Sequence, residues 1–538
     1  MEKLLNGTLG ALYDRCRAGF DAIDVGIHCT AYEGTHDLSF AETEFAGKYL
    51  SACVRFARRG DETARAHAAA VAAAVVRNQR GDGYIGGLEP GHEWDAFSVW
   101  NQAFTADGLL AYYEFTGDRA ALDAAERSVQ YIARWYLDDP AHDILNAPNY
   151  GTQHLAILIT LPRLARITGN PVYRQFFDHI CGRLRASDNN FFDCPDILQL
   201  RSRKGIENFV ALIGLADGCG DGRAALRNYA RQLHDTQIRR TGNGTIRELW
   251  TENGNAPQLL TADVKPNETC VAVGWMETNF LLFGETKDPA YLDDIEQTLY
   301  NHLLAAADPS GADFAYYQPN FGRRVTRTAD SMYKCCRYRG FFAVSCLPDA
   351  LFCTDGGTIV PMLYTSAEFC DGGVRVTETT DYPYDGTVRF RVDGAQIPPL
   401  RLRIPRWSAR FDVTVNGQAR ALDAVGGSVT VDGLCGGDEV VLRLYPELRA
   451  VDAEIDGVPH RSYTCGCVLL AVDAADEAGL CVPGSGAAMV RTDAEDARLA
   501  FTDGAVRWVD YASARRAYSV WGQLPPSAAC RLAPQARA

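Results

Sequence analysis

The hydrophobic periodicity of this chain changes once, near residue 355, and that change constrains the fold more than any other feature. Before it, apolar residues recur every three or four positions, as in ALDAAERSVQYIARWYL at 121–137, which predicts amphipathic helices. After it, short alternating segments such as GTVRFRVDG and DEVVLRLYP are separated by Gly and Asn-Gly turns, which predicts antiparallel strands. We therefore expect a helical region followed by a β-sandwich.

Several predicted helices end at a Gly-Asp or Gly-Asn pair, at 117–118 and 169–170, and a second helix follows at once. Glycine just after a helix is the usual left-handed cap. Recurring helical hairpins with little strand signal favour an α/α toroid, although their period is not strict enough for a solenoid. The expected fold is multidomain, α and β. It has an (α/α)6 catalytic domain over residues 1–352, a β-sandwich over 353–450 and a mostly β C-terminal region over 451–538.

The composition argues against several classes of protein. A net charge of −15 argues against binding to nucleic acid or to an anionic membrane, and favours a neutral or cationic ligand. No apolar run reaches the roughly 18 residues of a membrane-spanning helix. The N-terminus lacks the features of a signal peptide, so we expect a cytoplasmic protein. Its 17 cysteines, an odd number spread along the chain, are then mostly small buried hydrophobes rather than a disulfide scaffold.

Two cysteines are adjacent, Cys335 and Cys336, in MYKCCRYRGFF. Such a pair arises easily by chance at this cysteine content, so ordinary thiols and a redox-active pair both stay open. Glu268 and Cys270 lie in NETCVAVGW, before a predicted amphipathic helix. Together with the cysteine pair they supply one carboxylate oxygen and three sulfurs, which is a sensible tetrahedral ligand set and favours a Zn²⁺ site. The spacing matches no zinc-ribbon pattern, so the hypothesis requires the two segments to meet in space.

The segment NETCVAVGWMETNFLLFGETKDPAYLDDIEQTLYNHLLAA, followed by YKCC, resembles glycoside hydrolase family 127, the β-L-arabinofuranosidase-like group. The segments EFAGKYLSACVRFAR and LRLRIPRWSARFDVTVNGQ extend the resemblance over most of the chain, and the C-terminal part matches loosely. The resemblance implies a zinc site whose ligands are Glu268, Cys270, Cys335 and Cys336. Cys335 would attack the anomeric carbon, and Glu252, sixteen residues before Glu268, would be the acid/base.

The implied chemistry agrees with the properties of these groups. Zinc deprotonates a coordinated thiol, and three thiolates leave the site with a net negative charge and an electron-rich sulfur. Sulfur and carboxylate would replace the two carboxylates of a retaining glycosidase that acts on a small β-L-arabinofuranoside or a related, modified sugar. Two alternatives stay open: an α/α-toroid isomerase, epimerase or lyase, and a zinc-stapled homologue without hydrolytic activity.

Five further residues are candidates for binding the sugar. They are His154 at a helix start, Tyr84 and His92 in a Gly-rich loop, Lys204, and Tyr316 shortly before the cysteine pair. Each also has a plainer interpretation as a structural residue. The chain departs from the pattern of the family at Ala103, Lys204 and Arg337. The side chains of Lys204 and Arg337 are cationic, and each would either accept an anionic sugar or pair with a local acid. The sequence leaves open the sugar, the aglycone and the choice between a monomer and a homodimer.

Overall fold

Helices occupy most of the first 350 residues. The structure is a computed structural model that describes residues 2–4, 6–36, 41–95, 97–252, 265–324, 334–455 and 457–525. The α-helices of these residues are α1 (Thr8–Asp21), α2 (Val25–Thr30), α3 (Glu42–Arg58), α4 (Glu62–Asn78), α5 (Ser98–Thr116), α6 (Arg119–Asp138), α7 (Pro148–Gly151), α8 (Leu161–Thr168), α9 (Pro171–Arg185), α10 (Gly205–Gly218), α11 (Gly220–Thr236), α12 (Thr269–Thr286), α13 (Ala290–Gln297), α14 (Leu304–Ala306) and α15 (Cys335–Ser345). Within these ranges, no helix has the length and apolarity that a membrane crossing needs.

Six helical segments form a closed ring. Going round it, α3 contacts α5, α5 contacts the 3₁₀ helix Gln153–Ile159 that leads into α8, and this segment contacts α10. The ring closes because α10 contacts α12, α12 contacts α15, and α15 contacts α3. The helices α4, α6, α9, α11 and α13 each pack against the inner segment that precedes them. This arrangement confirms the (α/α)6 toroid. Since inner and outer helices alternate, the inner helices run in one direction and their N-termini meet at one end.

The Gly-Asp and Gly-Asn breaks are helix junctions. Gly117 and Gly169 adopt the left-handed conformation, with φ of 77° and 68°, which costs little in a residue without Cβ. The next residues, Asp118 and Asn170, accept hydrogen bonds from backbone N–H groups in the first turn of the following helix. Each such cap contributes about 1 kcal/mol, so one dipeptide both ends a helix and starts the next.

Strands dominate the chain after α15, and two short strands precede it in the described residues. They are β1 (Glu2–Leu4), β2 (Phe321–Arg323), β3 (Phe352–Asp355), β4 (Thr358–Pro361), β5 (Ala367–Asp371), β6 (Val374–Thr380), β7 (Thr387–Asp393), β8 (Leu400–Arg403), β9 (Phe411–Val415), β10 (Gln418–Arg420), β11 (Ser428–Val431), β12 (Glu439–Leu444), β13 (Leu448–Ile455), β14 (Val458–Cys465), β15 (Val468–Ala474), β16 (Val490–Thr492), β17 (Ala500–Thr502), β18 (Arg507–Asp510), β19 (Ala517–Ser519) and β20 (Gly522–Gln523). One sheet has the order β1-β5-β6-β7-β12-β9-β10, and a second has β11-β8-β4-β3. Alternate residues of both sheets are buried in one apolar core, as expected for a sandwich.

A third sheet contains β13 to β20 and takes one strand from the helical region. β2 pairs antiparallel with β19, and Tyr518 of β19 donates its hydroxyl to the Pro319 carbonyl at 2.7 Å. These contacts position the segment that follows Tyr316. The predicted domain boundary after residue 450 falls inside β13, which pairs with β14 along its whole length. The C-terminal sheet therefore begins at the start of β13, a few residues before the predicted boundary.

A buried ion pair joins the sandwich to the helical region. Arg403 on β8 contacts Asp293 and Glu296 of α13, and its side chain is 2% exposed. Since removing one partner leaves buried charge uncompensated, Arg403→Met is expected to lower the free energy of unfolding by about 3–5 kcal/mol. Arg401→Met, on the same strand but partly exposed in its pair with Asp355, is the matched control and should lose less than about 1 kcal/mol. Chemical denaturation measures both losses, and equal losses would contradict the prediction.

Candidate metal and active site

The four predicted ligands meet at one point. A carboxylate oxygen of Glu268 and the Sγ atoms of Cys270, Cys335 and Cys336 all lie within 4.8 Å of one another. The Sγ of Cys336 is 3.3 Å from that of Cys270 and 3.8 Å from Oε1 of Glu268. Tetrahedral Zn–S bonds of about 2.3 Å separate sulfurs by about 3.8 Å, so the spacing suits such an ion. The condition that the two segments meet in space is confirmed, and the cysteines of the described residues are free thiols.

The ligands stand at the N-terminal ends of two neighbouring inner helices. Glu268 is the N-cap of α12 and Cys270 lies in its first turn, while Cys335 and Cys336 begin α15. The partial positive charge of a helix N-terminus favours carboxylates and thiolates. The backbone N–H of Cys270 also donates to the Cys336 sulfur, at 3.3 Å. The toroid therefore places these anionic groups where the helix dipoles favour them.

Burial and crowding make this cluster a suitable site for a cation. Glu268 is 1% exposed, and its Oε2 has no hydrogen-bond partner among the residues that the structure describes. Burial raises the pKa of Glu268, and the nearby charges of Glu248 and Cys335 raise it further. Hydrogen bonds from Cys270 and Cys336 hold the pKa of Cys335 well below its ordinary value, whereas burial raises the pKa of both donors. A thiophilic divalent ion would satisfy the unpaired oxygen and neutralise the crowded sulfurs, so the residues fit a metal.

A buried ion pair adjoins the cluster. Glu44 and Lys48 lie one turn apart near the N-terminus of α3 and contact each other. The Lys48 ammonium also lies over the Phe104 ring, 4.3 Å from its centroid. Burial alone would lower the pKa of Lys48, but the negative charges of Glu44, Cys270 and Cys335 raise it. Lys48 therefore keeps a positive charge beside the thiols.

A carboxylate that the sequence analysis did not select, Glu248, belongs to the site. Its Oε1 accepts hydrogen bonds from the hydroxyls of Tyr316 and Tyr317, each at 2.7 Å, and its Oε2 contacts the ammonium of Lys204. The Tyr316 hydroxyl also hydrogen-bonds to Cys335. The carboxylate and the sulfur are thus linked through one hydroxyl.

Glu252, the predicted acid/base, lies elsewhere. Its side chain is 69% exposed, and its Oε1 accepts a hydrogen bond from Arg203 at 2.6 Å. The prediction used a count of sixteen residues back from Glu268, whereas Glu248 is twenty residues back. A fixed residue count does not specify which side chain the fold brings to the cluster. One signal could have found Glu248: it lies two residues before Trp250, which is fully buried and anchors this segment in the ring.

Lys204 and Tyr316 are the sugar-binding candidates that the structure places at Glu248. Lys204 is the residue before α10, so it stands at the same end of the ring as the cluster. Burial would lower the pKa of Lys204, but the carboxylates of Glu207 and Glu248 raise it. Burial raises the pKa of Glu207 to about 7. Lys204 is therefore held by acids of the protein itself.

Arg337 and Ala103, the other departures from the relatives, also have structural explanations. Arg337 donates its Nε to the Ala312 carbonyl at 3.2 Å, and the same Nε is 3.9 Å from the Asp313 carboxylate. Ala103 is fully buried in the core of α5. The sequence allowed Lys204 and Arg337 either to accept an anionic sugar or to pair with a local acid. In the structure both of them pair with a local acid.

The remaining sugar-binding candidates contact protein groups. Nδ1 of His154 is 2.7 Å from the Tyr136 hydroxyl, and the Tyr84 hydroxyl is 3.5 Å from Oγ of Ser98. Both candidates are 2% exposed, so little of either surface is available to a ligand. His92 is half-buried and bonds to a carboxylate three residues later. A role for these three residues in binding sugar stays a prediction.

Comparisons with known proteins agree with this geometry. The family model for the GH127 catalytic domain of β-L-arabinofuranosidases matches residues 1–348, and the GH127 middle-domain model matches residues 358–444. A crystal structure of a GH127 β-L-arabinofuranosidase from Geobacillus stearothermophilus T6 has a TM-score of 0.75 and 16% identity, covering 98% of this chain and 100% of that one. A second GH127 β-arabinofuranosidase structure has a TM-score of 0.79 and 18% identity, covering 98% and 97%. At these identities the two structures show a shared fold.

Proposed function

The chain belongs to glycoside hydrolase family 127, and on that premise we propose that it is a retaining, zinc-dependent glycosidase with a cysteine nucleophile. Its substrate would be a small glycoside with a terminal β-L-arabinofuranose or a related sugar. One observation carries the proposal: the Glu268 carboxylate and three cysteine sulfurs meet at the mouth of the toroid, and Glu248 is linked to Cys335 through Tyr316. A metal ion with a purely structural role would not need a second carboxylate, that of Glu248, hydrogen-bonded beside the cluster.

In the proposed reaction Cys335 is the nucleophile and Glu248 the acid/base. Glu268, Cys270, Cys335 and Cys336 would hold zinc, which, when bound, keeps thiols as thiolates near neutral pH. The Cys335 sulfur bonds to the anomeric carbon as the bond from that carbon to the aglycone oxygen breaks, and Glu248 gives its proton to that oxygen. The Glu248 carboxylate then takes a proton from water, whose oxygen attacks the same carbon and releases the Cys335 thiolate. Two displacements at one carbon retain its configuration.

The partners of Glu248 fix its orientation and favour its carboxylate form. Tyr316 and Tyr317 donate to one carboxylate oxygen and Lys204 contacts the other, so the side chain is held in a single orientation. Positioning of this kind lowers the entropic cost of reaching the transition state. The Lys204 charge also stabilises the carboxylate after its proton has moved to the leaving group.

Metal content is the first test. We expect about one zinc ion per chain by elemental mass spectrometry, and loss of hydrolysis when a chelator removes it. Cys270→Ser, which changes a ligand but not the nucleophile, should weaken zinc binding at least about 10-fold. Cys346→Ser is the matched control, because Cys346 caps the C-terminal end of α15, outside the cluster, and it should keep wild-type zinc. A metal-free protein that is stable and active would contradict the proposal.

Neutral glycosides are expected to be better substrates than uronides. Glu207 and Glu248 surround Lys204, and the cluster adds further negative charge. A carboxylated sugar would therefore meet like charge, which costs several kcal/mol. On a p-nitrophenyl panel we expect kcat/KM for the β-L-arabinofuranoside to exceed that for any uronide by about 100-fold or more. Faster hydrolysis of a uronide would show that Lys204 or Arg337 leaves its acid partner to bind substrate.

A further inference from the structure

A cavity runs from the end of the ring opposite the metal cluster into the interior, as far as Lys48 beside the thiols. Its volume is about 540 Å³, within the range of small-molecule sites. Its outer part is lined by residues near the C-terminal ends of the inner helices, including Arg58 of α3, Glu114 of α5, Asp217 of α10 and Glu285 of α12. Among the described residues, neither the four cluster residues nor Glu248 line it. The outer part of the cavity, around Arg58 and Arg223, therefore contains none of the proposed catalytic residues.

Every carboxylate that lines this cavity is paired with an arginine. The pairs are Asp107 and Glu114 with Arg163, Asp217 with Arg166, Glu277 with Arg339, and Glu285 with Arg227. A carboxylate that is already neutralised contributes little attraction for an added cation. The acidic residues of the lining therefore do not make the cavity a cation site.

The arginines of the lining are in excess. Arg58 and Arg223 both line the cavity and are exposed, and neither forms an ion pair with a carboxylate among the described residues, although Nη1 of Arg223 donates to the Ala216 carbonyl at 3.2 Å. Arg55, a third lining residue, shares the single carboxylate of Asp349 with Arg59. The cavity thus keeps residual positive charge on a chain whose net charge is −15. Such a local field attracts anions.

The rest of the lining is apolar. Phe104 and Phe342 contribute aromatic rings, and Ile213 and Leu282 add aliphatic surface. Leu281, also in the lining, is 45% exposed and adds accessible apolar surface at the opening. A ligand that fills this space would bury an apolar body against these side chains and direct its charge toward the arginines.

We propose that this cavity binds a small amphipathic organic anion, with an apolar ring system against the aromatic wall and a carboxylate, sulfonate or phosphate group on Arg58 and Arg223. The fork of a guanidinium suits all three oxyanions. The site is independent of the glycosidase chemistry, since it uses none of the residues assigned to that reaction.

The test is titration of the full-length, zinc-loaded protein with 8-anilinonaphthalene-1-sulfonate, followed by fluorescence and calorimetry. We expect saturable binding of about one probe per chain, and at least about tenfold weaker binding to the double variant Arg58→Gln/Arg223→Gln, because each arginine loses a charge-assisted hydrogen bond. The uncharged analogue N-phenyl-1-naphthylamine should bind both proteins equally.

The matched control is Arg375→Gln/Arg389→Gln, which removes the same charge from exposed positions on the β-sandwich. It should bind the sulfonate like the wild type. Hydrolytic activity and melting temperature, measured on the same preparations, check that both double variants are folded. Absence of saturable binding, or equal weakening in the two double variants, would overturn the proposal. Either result would leave the proposed glycosidase reaction unaffected.

Discussion

Replacing Cys335 by alanine is expected to lower kcat by about 10⁴-fold or more, even at saturating zinc, because no other group would form the bond to the anomeric carbon. Removing the thiol also removes a metal ligand, so the kinetic loss has to be separated from metal loss. Zinc content is therefore measured on every preparation. Cys270→Ser, which perturbs the metal but keeps the nucleophile, should retain more activity than Cys335→Ala once zinc is restored.

Covalent labelling identifies the nucleophile directly. A cyclophellitol-type or haloacetamide sugar probe should add one label to the wild-type protein, and peptide mass spectrometry should place it on Cys335. Cys346→Ala, which removes a thiol from the other end of α15, should be labelled like the wild type. A label on Cys270 or Cys336 would contradict the assignment of Cys335.

Glu248→Gln is expected to lower kcat/KM by about 10²- to 10⁴-fold, the range attributed to a positioned acid/base. Glu252→Gln is its matched control, because the same change at an exposed carboxylate should alter kcat/KM by less than about twofold. The comparison is made with p-nitrophenyl glycosides under saturating zinc. A large loss in Glu252→Gln with little loss in Glu248→Gln would return the acid/base role to Glu252.

The leaving group provides a further readout for Glu248. A 2,4-dinitrophenolate aglycone leaves without protonation, so the first displacement should survive in Glu248→Gln while the second slows. We therefore expect a burst of dinitrophenolate followed by slow turnover. An added anionic nucleophile such as azide, which needs no base, should accelerate that turnover. A merely structural role for Glu248 would produce neither the burst nor the rescue.

The fold class and the four residues of the candidate metal cluster were accessible from the sequence because they depend on residue type and short-range spacing. Helical periodicity and the paired caps at Gly117 and Gly169 act within one or two turns, and strand alternation acts within a few residues. A carboxylate followed by a cysteine at a helix start, and a cysteine pair at another, are likewise local patterns. Their chemistry permits few interpretations, since three thiols and a carboxylate suit few ions besides zinc.

Only the tertiary structure decided which carboxylate faces the cluster, and the reason is geometric. Glu248 and Glu252 are four residues apart, and residue type alone does not show which of them reaches the ring. In the same way, the partners of Lys204 depend on which acidic residues the fold brings close to its ammonium group. The cavity at the opposite mouth arises from helix ends more than 200 residues apart along the chain, such as Arg58 and Glu285. Local patterns specify what each segment is, and packing alone specifies what it touches.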